Sequence, residues 1–257
     1  MHPLRIWAVA ANSFRGALRD RLLYFVAVFA LILGLGARLL PEVAALTEDK
    51  MLLDLGLGAI AALSLLFAVF AGASTLAQDI ERRTVLSVLT KPLSRAELIL
   101  GKHLGLWGAL AVAVMLMGLV YLLLLHWLGL DYPLGALILA LVFLLLELGL
   151  VVAIALAFSV FTGSTLASLL TFCTYLLGTL SRDWVELGKL SENATIETVT
   201  RVLYLVLPDL ARLNLRNQAV YGLLPSPSEL VAHGVYGCVY ISTLLAIATL
   251  VFSRRQF

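Results

Sequence analysis

Charge is scarce in this sequence. Of its 257 residues only 13% are Asp, Glu, Lys or Arg, while 61% are hydrophobic. A soluble core of this size needs a large polar surface, which this composition does not supply. With a mean hydropathy of +1.01 the chain reads as a membrane protein. The formal net charge is only +2, so no basic excess points to nucleic acid as a partner. Cysteine is nearly absent, and both residues, Cys173 and Cys238, fall inside apolar runs. That argues against a disulfide framework; with no second Cys or His at ligand spacing it also argues against a metal site, and packed thiols are expected. The four histidines, His2, His103, His126 and His233, are scattered near the ends of apolar runs and read as interfacial residues rather than ligands. No H-E-x-x-H pattern, solenoid repeat or low-complexity tract is present.

What the chain does have is long apolar runs. A helix needs roughly twenty apolar residues to cross about 30 Å of hydrocarbon. Six runs qualify as expected spans, at 22–40, 52–77, 104–128, 134–161, 165–180 and 230–252. Every backbone group must be satisfied within the bilayer, and no alternating pattern suggests a barrel, so the spans are expected to be helices. The expected fold class is all-α, a single polytopic transmembrane domain over 1–257. Residues 1–21 are too mixed for a cleavable signal peptide. Leu4, Trp7, Ala11, Phe14 and Leu18 recur at spacings of three and four, with Arg5, Asn12, Arg15 and Arg19 opposite. That pattern fits an amphipathic helix lying in the membrane interface, or a plain lead-in to the first span.

Lys and Arg set the expected orientation. With the N-terminus inside, the inner segments are 1–21, 78–103, 162–164 and 253–257, and they hold eleven of the 18 basic residues. Both termini are then cytoplasmic. Segment 181–229 is close to neutral and falls outside, where two amphipathic helices are expected, one of them able to dip into the membrane. Asn193-Ala194-Thr195 within it fits a glycosylation acceptor and is read as a chance match.

The inner segment 78–103 concentrates charge in a chain that has little. Asp79 to Leu89 is expected to form a helix with Asp79 and Glu81 in its first turn, where the helix dipole favours acids. Arg82, Arg83 and Thr84 continue it, with Val85, Leu86 and Leu89 on an apolar face. Pro92 stops it and pushes Lys91 toward extended geometry. Ser94-Arg95-Ala96-Glu97 is a capping box that opens a second helix running into the third span. Helix, tight turn, helix suits a rigid elbow on which another protein pushes; the alternative is an interfacial anchor that only fixes topology.

At these residues the sequence resembles the ABC-2 type permeases, the membrane subunits of one class of ATP-binding-cassette transporters, in the branch often labelled as involved in multicopper enzyme maturation. The resemblance rests on an ordered set spanning essentially the whole chain. It comprises Ala11-Asn12-Ser13-Phe14-Arg15 and Leu18-Arg19-Asp20-Arg21, then Glu81-Arg82-Arg83-Thr84 with Lys91-Pro92, Ser94-Arg95 and Gly101-Lys102. Pro208-Asp209-Leu210, Asn214-Leu215 and Val220-Tyr221-Gly222 follow, and the set ends with Arg254-Arg255-Gln256-Phe257. Gln256 stands where the family pattern has Asp. The resemblance implies a multi-pass protein of the cell's inner or plasma membrane. It implies that Asp79, Glu81, Arg82, Arg83, Thr84, Lys91, Pro92, Ser94 and Arg95 form a coupling element for a cytoplasmic ATPase subunit. It also implies a second permease copy, in a homodimer, and membrane lipids around it.

A P-loop needs G-x-x-x-x-G-K-[ST], but Ala96 stands where the first glycine should be and His103 follows Gly101-Lys102. The chain is therefore expected to bind no cofactor and to catalyse nothing, with ATP and Mg held by the partner. Gly101 and Gly105 form a G-x-x-x-G read as local packing or chance rather than a dimer motif. Glu147 alone places a charge near the middle of an apolar run. It should face the protein interior, either as a polar point on a substrate path or in a hydrogen bond to a neighbouring helix. Two function classes remain open: the transmembrane half of an ATP-driven exporter, or a non-transporting membrane component of an ATPase-driven assembly or maturation complex.

Overall fold

The structure, a computed structural model, describes residues 2–19, 22–43, 48–81, 94–191 and 193–254. Among these residues every regular element is a helix. In chain order they are α1 (Pro3–Arg19), α2 (Leu22–Val43), α3 (Glu48–Glu81), α4 (Arg95–Trp127), α5 (Leu134–Ser159) and α6 (Ser164–Thr179). Then follow α7 (Ser181–Leu190), α8 (Ala194–Val206), a 3-10 turn at Leu210–Arg212, α9 (Arg216–Tyr221) and α10 (Pro227–Arg254).

Four helices, α3, α4, α5 and α10, are each long and apolar enough to cross a membrane. Two more spans arise if a bent pair of helices counts as one: α1 with Tyr24–Leu40, bent by 49°, and α6 with Asp183–Leu190, bent by 63°. The fifth run explains the need for that pairing. α6 has 16 residues, about 24 Å at ~1.5 Å per residue, which falls short of a bilayer core of about 30 Å.

α5 is the centre of the bundle. It is apolar on all sides, as a helix without a solvent-facing stripe must be, and it packs against α3, α4, α6, α9 and α10. Leu150, Val151, Val152, Ala153, Ala155 and Leu156 are completely buried along it. Polar ties fix the helix directions. Tyr121 Oη on α4 donates to the Leu53 carbonyl on α3 at 2.9 Å, while Lys102 on α4 reaches Thr75 and Asp79 at the other end of α3. Trp107 Nε1 donates to the Leu145 carbonyl at 2.7 Å, and His103 Nε2 lies 2.9 Å from the Gly149 carbonyl, so α4 and α5 are antiparallel. The short turn at 160–163 then sends α6 back beside α5, antiparallel to α3.

Three expectations are corrected. α3 runs unbroken through Asp79 and Glu81, so these acids lie at a helix end rather than in the first turn of a new helix. Cys173 and Cys238 are exposed on the outer faces of α6 and α10, not packed; a thiol is small and apolar enough to face lipid. His103 is 4% exposed and bonded inside the bundle rather than interfacial.

The segment expected to rest outside is more deeply built in than its sequence suggests. It forms three helices and a 3-10 turn rather than two helices. Leu210, Leu213, Leu215, Ala219 and Val220 belong to the core, and α9 packs on both α3 and α5. The chain enters closely at Gly178, where a Cβ would stand 2.6 Å from the Pro208 carbonyl oxygen. Asn193 has a structural role: its side chain accepts from the Thr195 amide at 2.9 Å and caps α8, the ordinary N-cap use of Asn.

Candidate functional site

Polar contacts tie together four helix ends: the starts of α1 and α4 and the ends of α3 and α10. α4 opens on the capping box expected at Ser94: the Ser94 hydroxyl accepts from the Glu97 amide at 3.2 Å, and Glu97 Oε2 accepts from the Ser94 amide at 2.9 Å. Glu97 Oε1 accepts a further bond from the His2 amide at 2.8 Å, which ties the start of α1 to the same turn. Arg95 Nη1 donates to the Phe252 carbonyl, and its guanidinium lies 5.6 Å from the Phe252 ring centroid, so the end of α10 joins the group.

One and a half turns further along α4, Lys102 is 5% exposed. An ammonium at this depth is costly unless it is paired. It is: Nζ donates to the Asp79 carboxylate and to the Thr75 carbonyl, the latter at 2.6 Å. The pair also answers an electrostatic difficulty. Asp79 lies in the last turn of α3, where the helix dipole disfavours a carboxylate, and Lys102 supplies the compensating charge.

α1 is clamped along α4 rather than trailing from it. A Cβ at Gly101 would stand 2.6 Å from Val9 Cβ, and one at Gly105 2.4 Å from the Ala10 carbonyl oxygen. Both are closer than real Cβ contacts allow, so this G-x-x-x-G exists to let two helices of one chain meet.

Beside the Asp79–Lys102 pair lies a cavity of about 920 Å³. Its walls come from α1, α2, α3, α4 and α6. Leu66, Phe67 and Phe70 of α3 and Leu169 and Phe172 of α6 line one part; Ser74, Gln78 and Asp79 of α3 and Ser164, Thr165 and Ser168 of α6 line another.

The sequence that folds into this bundle is matched by a family profile. The profile described as ABC-2 family transporter protein covers residues 7–257. The chain belongs to the ABC-2 family of transporter proteins. It is therefore a multi-pass membrane component, a permease subunit of an ABC transporter. A comparison with curated proteins gives no match.

Of the residues expected to couple this ABC-2 permease to an ATPase, the structure describes Asp79 and Glu81 at the end of α3, Ser94 as the N-cap of α4, and Arg95 as its first residue. Arg82, Arg83, Thr84, Lys91 and Pro92 lie outside the described residues. Lys102 and Glu97 were not singled out for that role, although both are charged residues at the start of an apolar helix, which is the available signal.

Glu147 is 2% exposed, midway along α5. The polar groups acting on it are the Tyr175 hydroxyl of α6 and the Arg216 guanidinium of α9. Its Oε1 makes no hydrogen bond among the described residues. A second polar knot holds the entry to α9: Arg212 Nε donates to Asp209 Oδ2 at 2.9 Å and Nη2 to Tyr204 Oη at 3.0 Å, while the Asp209 amide donates to Tyr236 Oη at 2.8 Å. Neither Arg216 nor Arg212 is foreseeable as a bundle contact from its own neighbourhood in sequence. Among the described residues, no three His, Cys, Asp or Glu side chains converge as metal ligands.

Proposed function

We propose that this permease is the membrane half of an exporter driven by a separate cytoplasmic ATP-binding-cassette ATPase. That subunit docks on 78–103 and holds the ATP and Mg. Two permease copies and two ATPase subunits make the working unit, with both termini of the permease in the cytoplasm, where the Lys and Arg excess of the short segments puts them.

The observation that carries this reading is the junction around 82–93. The end of α3 is bonded to α4 through Asp79 and Lys102, and the start of α4 is bonded to α1 through Glu97 and to α10 through Arg95. A force applied to the stretch between α3 and α4 thus reaches four helices through short, partly buried contacts. A segment that merely fixed topology would need none of them. The cavity beside the junction favours transport over a purely mechanical role, because a volume of about 920 Å³ is at the upper end of what small-molecule sites enclose.

The test is co-purification in detergent with the cytoplasmic ATPase, followed by an ATPase assay, for the parent chain and for Arg82→Glu/Arg83→Glu. Loss of association or of coupled hydrolysis in the variant supports docking at this segment. Unaltered association and activity would place the motor elsewhere.

A further inference from the structure

The cavity has a direction. On α3 the apolar residues Leu66, Phe67 and Phe70 come first and the polar residues Ser74, Gln78 and Asp79 follow. On α6 the order is reversed, with Ser164, Thr165 and Ser168 before Leu169 and Phe172. The two helices are antiparallel, so both polar sets fall at the same end, beside the junction of α3 and α4, and both apolar sets lie deeper in the bundle. α1 adds Asn12 and Ser13 to the same cavity. From Leu66 to Asp79 the helix rises about 20 Å at ~1.5 Å per residue, a little more than the ~15 Å of hydrocarbon in one leaflet. The cavity thus reproduces the polarity gradient of a single leaflet inside the protein.

The polar end also carries a chemical preference. Its two charged groups, Asp79 and Lys102, are bonded to each other. The other polar lining residues named here are hydroxyls and amides, from Asn12, Ser13, Ser74, Gln78, Ser164, Thr165 and Ser168. Each of these charges is already compensated by the other, so neither a ligand anion nor a ligand cation meets a net opposite charge there. Hydroxyl and amide groups, by contrast, can exchange bonds with a neutral polar head at little desolvation cost. We infer that this cavity binds an amphiphile with an apolar tail and an uncharged, hydroxyl-bearing head, taken up from the leaflet on the side of the α3–α4 junction. The inference names the cargo class for the transport reading above and rests on it for its biological meaning, but binding at the cavity does not require the ATPase.

Three photoactivatable probes sharing one alkyl chain would test it: a monoacylglycerol, a fatty acid and an alkyl trimethylammonium. Each is added to the purified full-length permease in nanodiscs, and the labelled peptides are mapped by mass spectrometry. The monoacylglycerol should label residues of 66–75 and 165–172 in preference to other lipid-facing segments and more than either charged probe does. Ala71→Trp and Ser168→Trp fill the cavity from two different helices. Each should cut that labelling about ten-fold, because a steric block removes the tail's contacts outright. Size-exclusion behaviour identifies a variant that misfolds, and the other variant then carries the test. Labelling spread evenly over the outer helix faces, or unchanged by both substitutions, would mean annular lipid only and would overturn the inference. So would dominant labelling by a charged probe. Failure of the unsubstituted permease to associate with the ATPase, with labelling intact, would defeat the coupling reading and leave the binding site standing.

Discussion

Lys102, buried near the start of α4, gives its ammonium protons to Asp79 in the last turn of α3 and to the Thr75 carbonyl one turn earlier. Each charge makes the other tolerable: the lysine is too deep to stand alone, and the aspartate sits at the end of a helix dipole that opposes it.

Lys102→Met removes that support. The loss should be about 2 kcal/mol, below the ~3–5 kcal/mol of a fully buried pair, because the Asp79 side chain is 38% exposed and water screens it. Thermal unfolding in detergent measures it. Asp79→Asn/Lys102→Met should be more stable than Lys102→Met alone, since no charge is then stranded.

The clamp of α1 on α4 predicts a contrast between glycines. Gly105→Ala sets a methyl 2.4 Å from the Ala10 carbonyl oxygen, and an overpacked contact of this kind costs about 1–3 kcal/mol. Gly34→Ala, on α2, meets nothing within 4 Å and should be neutral or mildly stabilising. Hydrogen exchange over 3–19 should rise in the first variant and stay unchanged in the second.

Arg216 of α9 acts on Glu147 of α5 through its charge. Arg216→Leu removes that charge and leaves Tyr175 beside the Glu147 carboxyl, and should destabilise the permease by about 1–2 kcal/mol. Glu147→Gln/Arg216→Leu should recover most of that, with a coupling of about 1 kcal/mol or more. Additive effects of Glu147→Gln and Arg216→Leu, each measured alone and together, would show that the two groups do not interact.

Tyr236→Phe deletes the acceptor of the Asp209 amide, 2.8 Å away, and leaves the ring beneath Arg212. A single neutral hydrogen bond of this kind contributes about 1 kcal/mol, so the unfolding temperature should fall modestly. Tyr204→Phe removes a bond to a guanidinium instead and should cost somewhat more.

How much of this can be read in the sequence follows from where each interaction comes from. α3, α4, α5 and α10 declare themselves through run length alone, and the N-cap of α4 through Ser94 and Glu97, because these signals are local. α6 follows its apolar run, expected at 165–180, almost residue for residue, but it reaches the length of a span only together with the bent continuation into α7. The entry of 208–220 into the bundle is not legible, because Leu210, Leu213 and Leu215 alternate with Arg212, Asn214 and Arg216. Tyr236 and Glu147, which lie beside Arg212 and act on Arg216 respectively, are far away in sequence. Asp79 is the instructive case. Read locally it opens a helix; in the fold it closes one, and the residue that permits this, Lys102, lies on the next helix.

The most direct measurement places a photo-crosslinking amino acid at Thr84, in the stretch that joins α3 to α4, and a second at Tyr221 in α9, in cells that also carry the ATPase. The account predicts an adduct between the permease and the ATPase from position 84 and none from position 221. An adduct from 221, or none from 84 while the two proteins still co-purify, would contradict it.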